Sequence, residues 1–308
     1  MVDRPSPDVR ATRLAARRHG LITLAQALRV GLSRGQVQHR LRTGRWEPIG
    51  IGVYRIAGAP ATTTQAALAA ALTAGPGALV SHLSALALVG IVAAPEVTHV
   101  TVAPTGSART PGVVLHRSPI TRLDRTIVGH VPATTPARAL VDAALIVDRG
   151  TLADLVDAVV CGGLAQPSTI LGAARRAQRR PGRRGIPMLR EALEPWFDGI
   201  APGSPAEMRL LRRLEDWGFP RPESQVLVRE ATGEVVAAID LGWRDHRVGL
   251  EYDGAVAHAP RHLGADVARE ERIRALGWTI ERVDKHDLRP SSTRLRDLLG
   301  PRLERRAA

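Results

Sequence analysis

Two short stretches near the front of the chain constrain its fold most. Thr23-Leu-Ala-Gln26 and Ser33-Arg-Gly-Gln36 each place a hydroxyl side chain three positions ahead of a glutamine. That is capping-box spacing: the hydroxyl accepts from the third helical N–H, and the glutamine amide reaches back to the cap's own N–H. Each stretch predicts a helix start, and Gly31 and Gly44 supply the stops. Residues 10 to 19 read as an earlier helix that ends at Gly20. Residues 46 to 56 alternate around Gly50 and Gly52, as a small β-hairpin does. Short helices, a tight turn and a hairpin make a winged helix-turn-helix.

On the third of these helices Val37 and Leu41 are one turn apart and face inward. Arg34, Gln38 and Arg42, with His39, then face outward. Arg and Gln are the side chains that pair bidentately with guanine and adenine edges. Arg45 and Arg55, on the wing, are placed to hold phosphates. The competing reading is a protein-contact module with a solvated basic face. Charge favours a polyanion such as DNA: the chain carries +13 at pH 7 and has a pI near 11.4. Lys285 is the sole lysine, so the arginine excess also carries a GC-rich coding bias. Bias explains Arg over Lys, but not base over acid.

The run from Gly20 to Ile56 resembles the N-terminal winged helix of the AbiEi family, through Gly20, Gly31, Ser33, Gly44 and Gly52-Val-Tyr-Arg55. The resemblance implies an antitoxin and autoregulator of a type IV toxin–antitoxin system, with a cognate toxin protein as partner. The middle of the chain is mixed. Helix signals start at Thr62, Ser81 and Thr135, and residues 98 to 102 and 113 to 116 read as strands. The phrases VSHLSALALVGI and TTPARALVDAAL also resemble the AbiEi-type core. His82 reads as a local hydrogen-bonding residue, while His99 and His116 sit on strands with no carboxylate pattern nearby. The run RRAQRRPGRRG, 175 to 185, reads as a linker or basic arm. Cys161 reads as a core residue, and a single cysteine excludes an internal disulfide or a Cys-based zinc site.

From Gly203 the pattern becomes helix, three strands, helix, strand. Ser204 opens the helix, and strands are expected at 225–228, 235–241, 248–252 and 278–283, with a helix over 262–276. Glu251 and Asp253 are two apart, so an extended backbone points both to one face. A turn through residues 244 to 247 brings Asp240 beside Glu251. Two carboxylates about 5 Å apart repel by roughly 3 kcal/mol at an effective dielectric near 20. Such a pair needs a proton, an arginine or a divalent cation, and hard oxygen donors favour Mg²⁺ or Mn²⁺.

The stretch from Ser204 to Arg289 resembles the DUF559 family, related to the very short patch repair endonucleases and the PD-(D/E)XK fold. The most specific match is Glu251-Tyr-Asp253-Gly254, then His258, Asp266, Arg269 and Gly277-Trp-Thr-Ile-Glu-Arg282. The resemblance implies that Asp240 and Glu251 are metal ligands, that Glu207 completes the site, and that His258 or Asp253 orients or activates water. Each has a plainer reading. Glu207 sits where a capping-box acid would, Asp253-Gly254 is a turn signal, and His258 is a loop histidine. Asp266 and Arg269 are a surface i, i+3 pair, unless Arg269 neutralises the acids from above. The pattern's usual lysine, two residues after the acid, is replaced by Asp253.

The expectation is an α/β (α+β) multidomain chain: a winged helix over 1–60, a mixed domain over 61–178, a linker over 179–203 and a restriction-endonuclease-like domain over 204–308. Function stands between a metal-dependent DNA endonuclease of repair or defence and a non-enzymatic regulator or antitoxin. No apolar stretch reaches the ~18–20 residues that span a bilayer, and the N-terminus lacks a signal peptide's apolar core. Those two features predict a cytoplasmic protein without membrane partners.

Overall fold

In the computed structural model of the chain, both capping boxes form. Gln36 N–H donates to Ser33 Oγ at 3.1 Å and Ser33 N–H to Gln36 Oε1 at 2.8 Å. The Thr23–Gln26 pair closes at 3.2 and 2.9 Å. The described residues are 5–104, 112–177, 185–197, 204–252, 263–284, 286–289 and 291–303, with the side chains of 263–267 left outside. Asp253, His258 and Lys285 lie outside the described residues. The chain divides into two compact units: Met1–Val159 with Gly163–Ala192, and Leu193–Ala308 with Val160–Gly162.

The first unit opens with α1 (Pro7–Ala16), β1 (Leu21–Thr23), α2 (Leu24–Arg29), α3 (Arg34–Arg42), β2 (Trp46–Gly50) and β3 (Val53–Ile56). α1 starts three residues ahead of the sequence expectation, because Ser6 caps it and Pro7 takes the first helical position. The sheet runs β1-β3-β2, all antiparallel, so the expected hairpin gains a third strand. β1 has three residues, too few to show alternation. Ile22, Ala27, Val37, Trp46 and Tyr54 fill the core, with the Trp46 and Tyr54 rings stacked at 5.9 Å.

The same unit continues with α4 (Thr63–Ala74), β4 (Leu79–Val80), α5 (His82–Leu88), β5 (Thr98–Val102), β6 (Val113–Arg117), β7 (Arg125–Val128), β8 (Val131–Thr134), α6 (Pro136–Ala143), α7 (Arg149–Cys161), α8 (Pro167–Ala177) and α9 (Gly185–Leu193). Its mixed sheet runs β6-β5-β4-β8-β7. β5 and β6 appear where expected. β4, β7 and β8 were not read from sequence, since each has four residues or fewer. Gly129 and His130 both have positive φ, as the central residues of a tight β7–β8 hairpin turn require. Cys161 is half-buried at the end of α7.

The winged helix and the mixed region share this unit, although sequence suggested separate domains. The Gln65 side-chain amide on α4 donates to the His19 carbonyl at 2.6 Å. β2 approaches α4 so closely that a Cβ at Gly50 would come within 2.1 Å of Thr73 Oγ1. The expected linker 179–203 contains α9, whose Ile186, Leu189 and Leu193 are buried. Their helical spacing was masked by the adjacent arginine run. Arg176 of that run is committed to the interior: it donates to Asp124 Oδ1 at 3.0 and 3.1 Å.

Asp124 belongs to a buried ionic network. Arg138 is 1% exposed, and it donates to Asp142 (2.9 Å), Ser118 Oγ (2.7 Å), the Pro119 carbonyl (3.1 Å) and Asp124 (3.4 Å). Burial alone would raise the Asp124 carboxyl. Hydrogen bonds from the Thr121 backbone and hydroxyl and from Arg176, with the charge of Arg138, outweigh that and hold it below its ordinary range.

The second unit holds α10 (Pro205–Asp216), β9 (Glu223–Arg229), β10 (Val235–Trp243), β11 (Val248–Tyr252), α11 (Leu263–Ala275), β12 (Thr279–Val283) and α12 (Arg294–Leu303). The expected order of elements is present, followed by α12. The sheet runs β12-β11-β10-β9, antiparallel except for the β11–β12 pair. α11 connects those two parallel strands, as a crossover must. Leu210 and Leu214 of α10 and Leu295 and Leu299 of α12 pack with Leu241, Trp243 and Leu250. Ile273 of α11 and Leu276 just after it join the other core, with Val226 and Ile239. Ile239 and Leu241 are two apart on one strand yet enter different cores, so β10 breaks its alternation at Asp240. The register pairs that position with Gln225, whose φ is +52°. Among the described residues, no helix is long and apolar enough to cross a membrane.

Candidate nucleic-acid interface and acidic pair

α3 is fixed by what it buries. Val37 is in the core, and Leu41 packs against it half-buried. Arg40 was not singled out by sequence, and it too turns inward. Its guanidinium pairs with Asp8, donates to the Gln36 carbonyl at 2.6 Å and lies 5.9 Å from the Trp46 ring. With those residues committed, Arg34, Gln38, His39 and Arg42 are all exposed. Arg34, Gln38 and Arg42 recur every four residues, so they form one stripe.

Arg45 is exposed at the entry to β2. Arg55 is placed differently from the expectation: it pairs with Glu47, its cross-strand neighbour, donating from Nε at 2.8 Å. A phosphate at Arg55 would compete with that carboxylate. At the tip of the wing, Ile51 is 79% exposed.

In the second unit, the pairing of Leu241 with Leu250 sets Asp240 beside Glu251 across two antiparallel strands. β10 runs three residues past Asp240, so that residue lies within the strand rather than at its end. Both carboxylates are already engaged. Asp240 Oδ2 accepts from Tyr252 N–H at 3.0 Å, and Oδ1 accepts from the Gln225 amide at 3.4 Å. Glu251 Oε1 accepts from Arg269 at 2.6 Å, the neutralising role foreseen for that arginine. Glu207 is turned to its own helix cap: Ser204 Oγ accepts from its N–H at 3.2 Å and donates to its carboxylate at 2.8 Å. A cleft of about 530 Å³ opens beside Glu251, lined by Arg269, Ile273, Trp278, Ile280 and Arg282.

Each Asp240 oxygen accepts a hydrogen bond and an arginine compensates Glu251, so a cation here would have to share or displace those partners. Among the described residues, three metal-ligating side chains converge elsewhere, at His82, His99 and His116, with donor atoms within 4.8 Å of one another. Sequence reasoning missed this cluster because β5 and β6 pair in parallel, a contact between segments that no local pattern announces. The one signal available was a histidine on each of two apolar strands and a third at the first residue of a helix. Burial lowers His99, and burial with the neighbouring His99 lowers His116 to about 4.

Residues 9–57, which span α3 and the wing, match a family described as transcriptional regulator, AbiEi antitoxin. Over 198 residues the chain is 33% identical to the uncharacterized proteins MT2308 and Rv2248 of two Mycobacterium tuberculosis strains. The match covers 64% of this chain and 70% of each relative. The chain belongs to the family of these mycobacterial proteins. Within it, the matched front segment carries the exposed stripe of α3.

Proposed function

We propose that the chain is a DNA-binding transcriptional regulator of the antitoxin type, and that α3 is its recognition helix. The observation that carries this reading is the division of labour on α3. Val37 and Arg40 anchor it, and Arg34, Gln38, His39 and Arg42 are presented to solvent within the segment that matches the AbiEi description. Arg34 and Gln38 read base edges in the major groove, while Arg42 and Arg45 hold phosphates. The antitoxin description makes a toxin protein the partner to seek by co-purification. Fluorescence anisotropy with the DNA upstream of the chain's own reading frame tests the reading. Specific, salt-sensitive binding that Arg34→Ala and Gln38→Ala weaken supports it. Affinity and specificity unchanged in both variants would make the winged helix a protein-contact module.

The placement of Asp240 beside Glu251 favours a second reading for the second unit, phosphodiester hydrolysis with Mg²⁺ or Mn²⁺. Under it Asp240 and Glu251 would hold the cation, which would polarise a phosphate and activate a water, with Asp253, His258 and Glu207 assisting as the sequence resemblance implies. Incubation with plasmid, single-stranded and mismatched DNA plus either cation tests it. Cleavage abolished by Asp240→Ala and by Glu251→Ala supports a nuclease. Cleavage that persists in both variants removes these residues from the active site.

A further inference from the structure

We infer that His82, His99 and His116 form a binding site for a divalent transition-metal ion of the zinc or cobalt class. The three side chains come from different elements of one unit: the first residue of α5, β5 and β6. Their candidate donor atoms lie within 4.8 Å of one another. The His99 and His116 rings share a hydrogen bond between Nδ1 and Nε2 at 2.9 Å, and the His82 ring stacks on His116 with centroids 3.7 Å apart. Imidazole nitrogens are borderline donors, which suit Zn²⁺, Co²⁺, Ni²⁺ or Cu²⁺ rather than Mg²⁺ or Ca²⁺. Metal–nitrogen bonds of about 2.0–2.1 Å in a tetrahedron set ligand nitrogens about 3.4 Å apart. The His99–His116 separation must open by only about half an ångström, by rotation of two half-buried rings, to reach that spacing.

Two further features mark the cluster as a built site. His82 is 2% exposed and holds φ at +54°, a left-handed conformation that a bulky side chain adopts at a cost. That backbone sits between Ser81, the cap residue directly after β4, and the body of α5. The second feature is an outer layer of hydroxyls. His82 Nδ1 and Ser81 Oγ are hydrogen-bonded at 2.9 Å, and Thr101 Oγ1 donates to Ser81 Oγ at 2.8 Å. Ser84 Oγ accepts from the His99 backbone N–H at 2.9 Å. The Ser81 hydroxyl on Nδ1 of His82 is the kind of outer partner that fixes the ring of a ligating histidine. Three imidazoles leave a fourth tetrahedral position for water or an exogenous donor. The ion would tie α5 to the β5–β6 edge of the sheet.

The inference stands apart from either reading of function and is tested on the untagged full-length chain after chelator treatment. Titration with Co²⁺ is followed by visible absorption. The expected result is intense tetrahedral d–d bands that saturate at one equivalent per chain and are displaced by Zn²⁺. Absence of those bands overturns the proposal. His99→Gln and His116→Gln are expected to abolish the bands, whereas Asp240→Ala leaves them intact. Bands that survive both histidine variants, or vanish with Asp240→Ala, also overturn it. Ser81→Ala is expected to weaken the affinity about 10-fold, as loss of an outer-shell partner does. X-ray absorption on the zinc-loaded wild-type chain needs no variant to fold. A shell of three imidazole nitrogens supports the site, and a shell of carboxylate oxygens alone rules it out.

Discussion

The exposed stripe of α3 and the acidic pair of β10 and β11 use charge in opposite ways. On α3, Arg34 and Arg42 stand in solvent and form no ion pair with a described residue, while their neighbour Arg40 is spent on Asp8 and Trp46. On the sheet, Asp240 and Glu251 are each matched by a protein donor, Tyr252 N–H and Arg269. A charge that the fold leaves unmatched is available to a ligand. A charge already matched must first be released, and the release costs binding energy. This contrast is why the winged helix leads the functional reading and the acidic pair follows it.

The largest expected effect tests the claim that matched charges serve the fold. Arg138→Ala removes a buried guanidinium from Asp124 and Asp142. It should lower stability by about 3–5 kcal/mol, measured by urea unfolding. A loss below about 1 kcal/mol would mean that the network is not what holds α6 in place. The contrast is sharpened by Arg34→Ala. That change should cost about 1–3 kcal/mol of specific DNA binding while stability stays within about 0.5 kcal/mol. Arg42→Ala should instead weaken binding to all sequences alike and reduce the salt dependence by about one phosphate contact.

Acid offers a further test. The Asp124 carboxyl is held below its ordinary value near 3.8, so its contribution is complete above that pH. It is lost as pH falls through the lower folded-state value. Asp124→Asn should therefore flatten the fall in stability below about pH 4 and cost stability at neutral pH. An acid-unfolding profile with unchanged slope would assign that dependence to other carboxylates. The smallest effect is expected from Arg269→Ala. Its side chain is about one-third exposed, so stability should change by under about 1 kcal/mol. Under the nuclease reading the same change frees Glu251 and should tighten Mn²⁺ binding, as read by calorimetry.

Much of the front of the chain was legible because its signals are local. A capping box spans three residues, and the stripe of α3 follows from a helical period that any reader can count. The β10–β11 neighbourhood was legible for a similar reason, since a four-residue turn sets the register of the strands it joins. The inward turn of Arg40 was not legible. Its helical position allowed either face, and the choice depended on Asp8, thirty-two residues earlier. Arg55 was read as a phosphate ligand because Glu47 became its neighbour only when the hairpin register was set. The arginine run that begins in the last turn of α8 was read as solvated because nothing local points Arg176 to Asp124, fifty-two residues away.

Sequence by itself determined the capped starts of α2 and α3, the winged helix, the order of elements in the second unit and the basic balance that favours a polyanion. These follow from contacts within a turn or two of the chain and from a sum of charges. Tertiary structure alone decided which arginines remain available, that α4 docks on the wing, and that three histidines 17 residues apart in succession meet at one point. Those outcomes depend on sheet pairing and helix packing between distant segments. Such contacts form because apolar surface is buried across the whole unit, and no local spacing encodes where a polar side chain is carried when that happens.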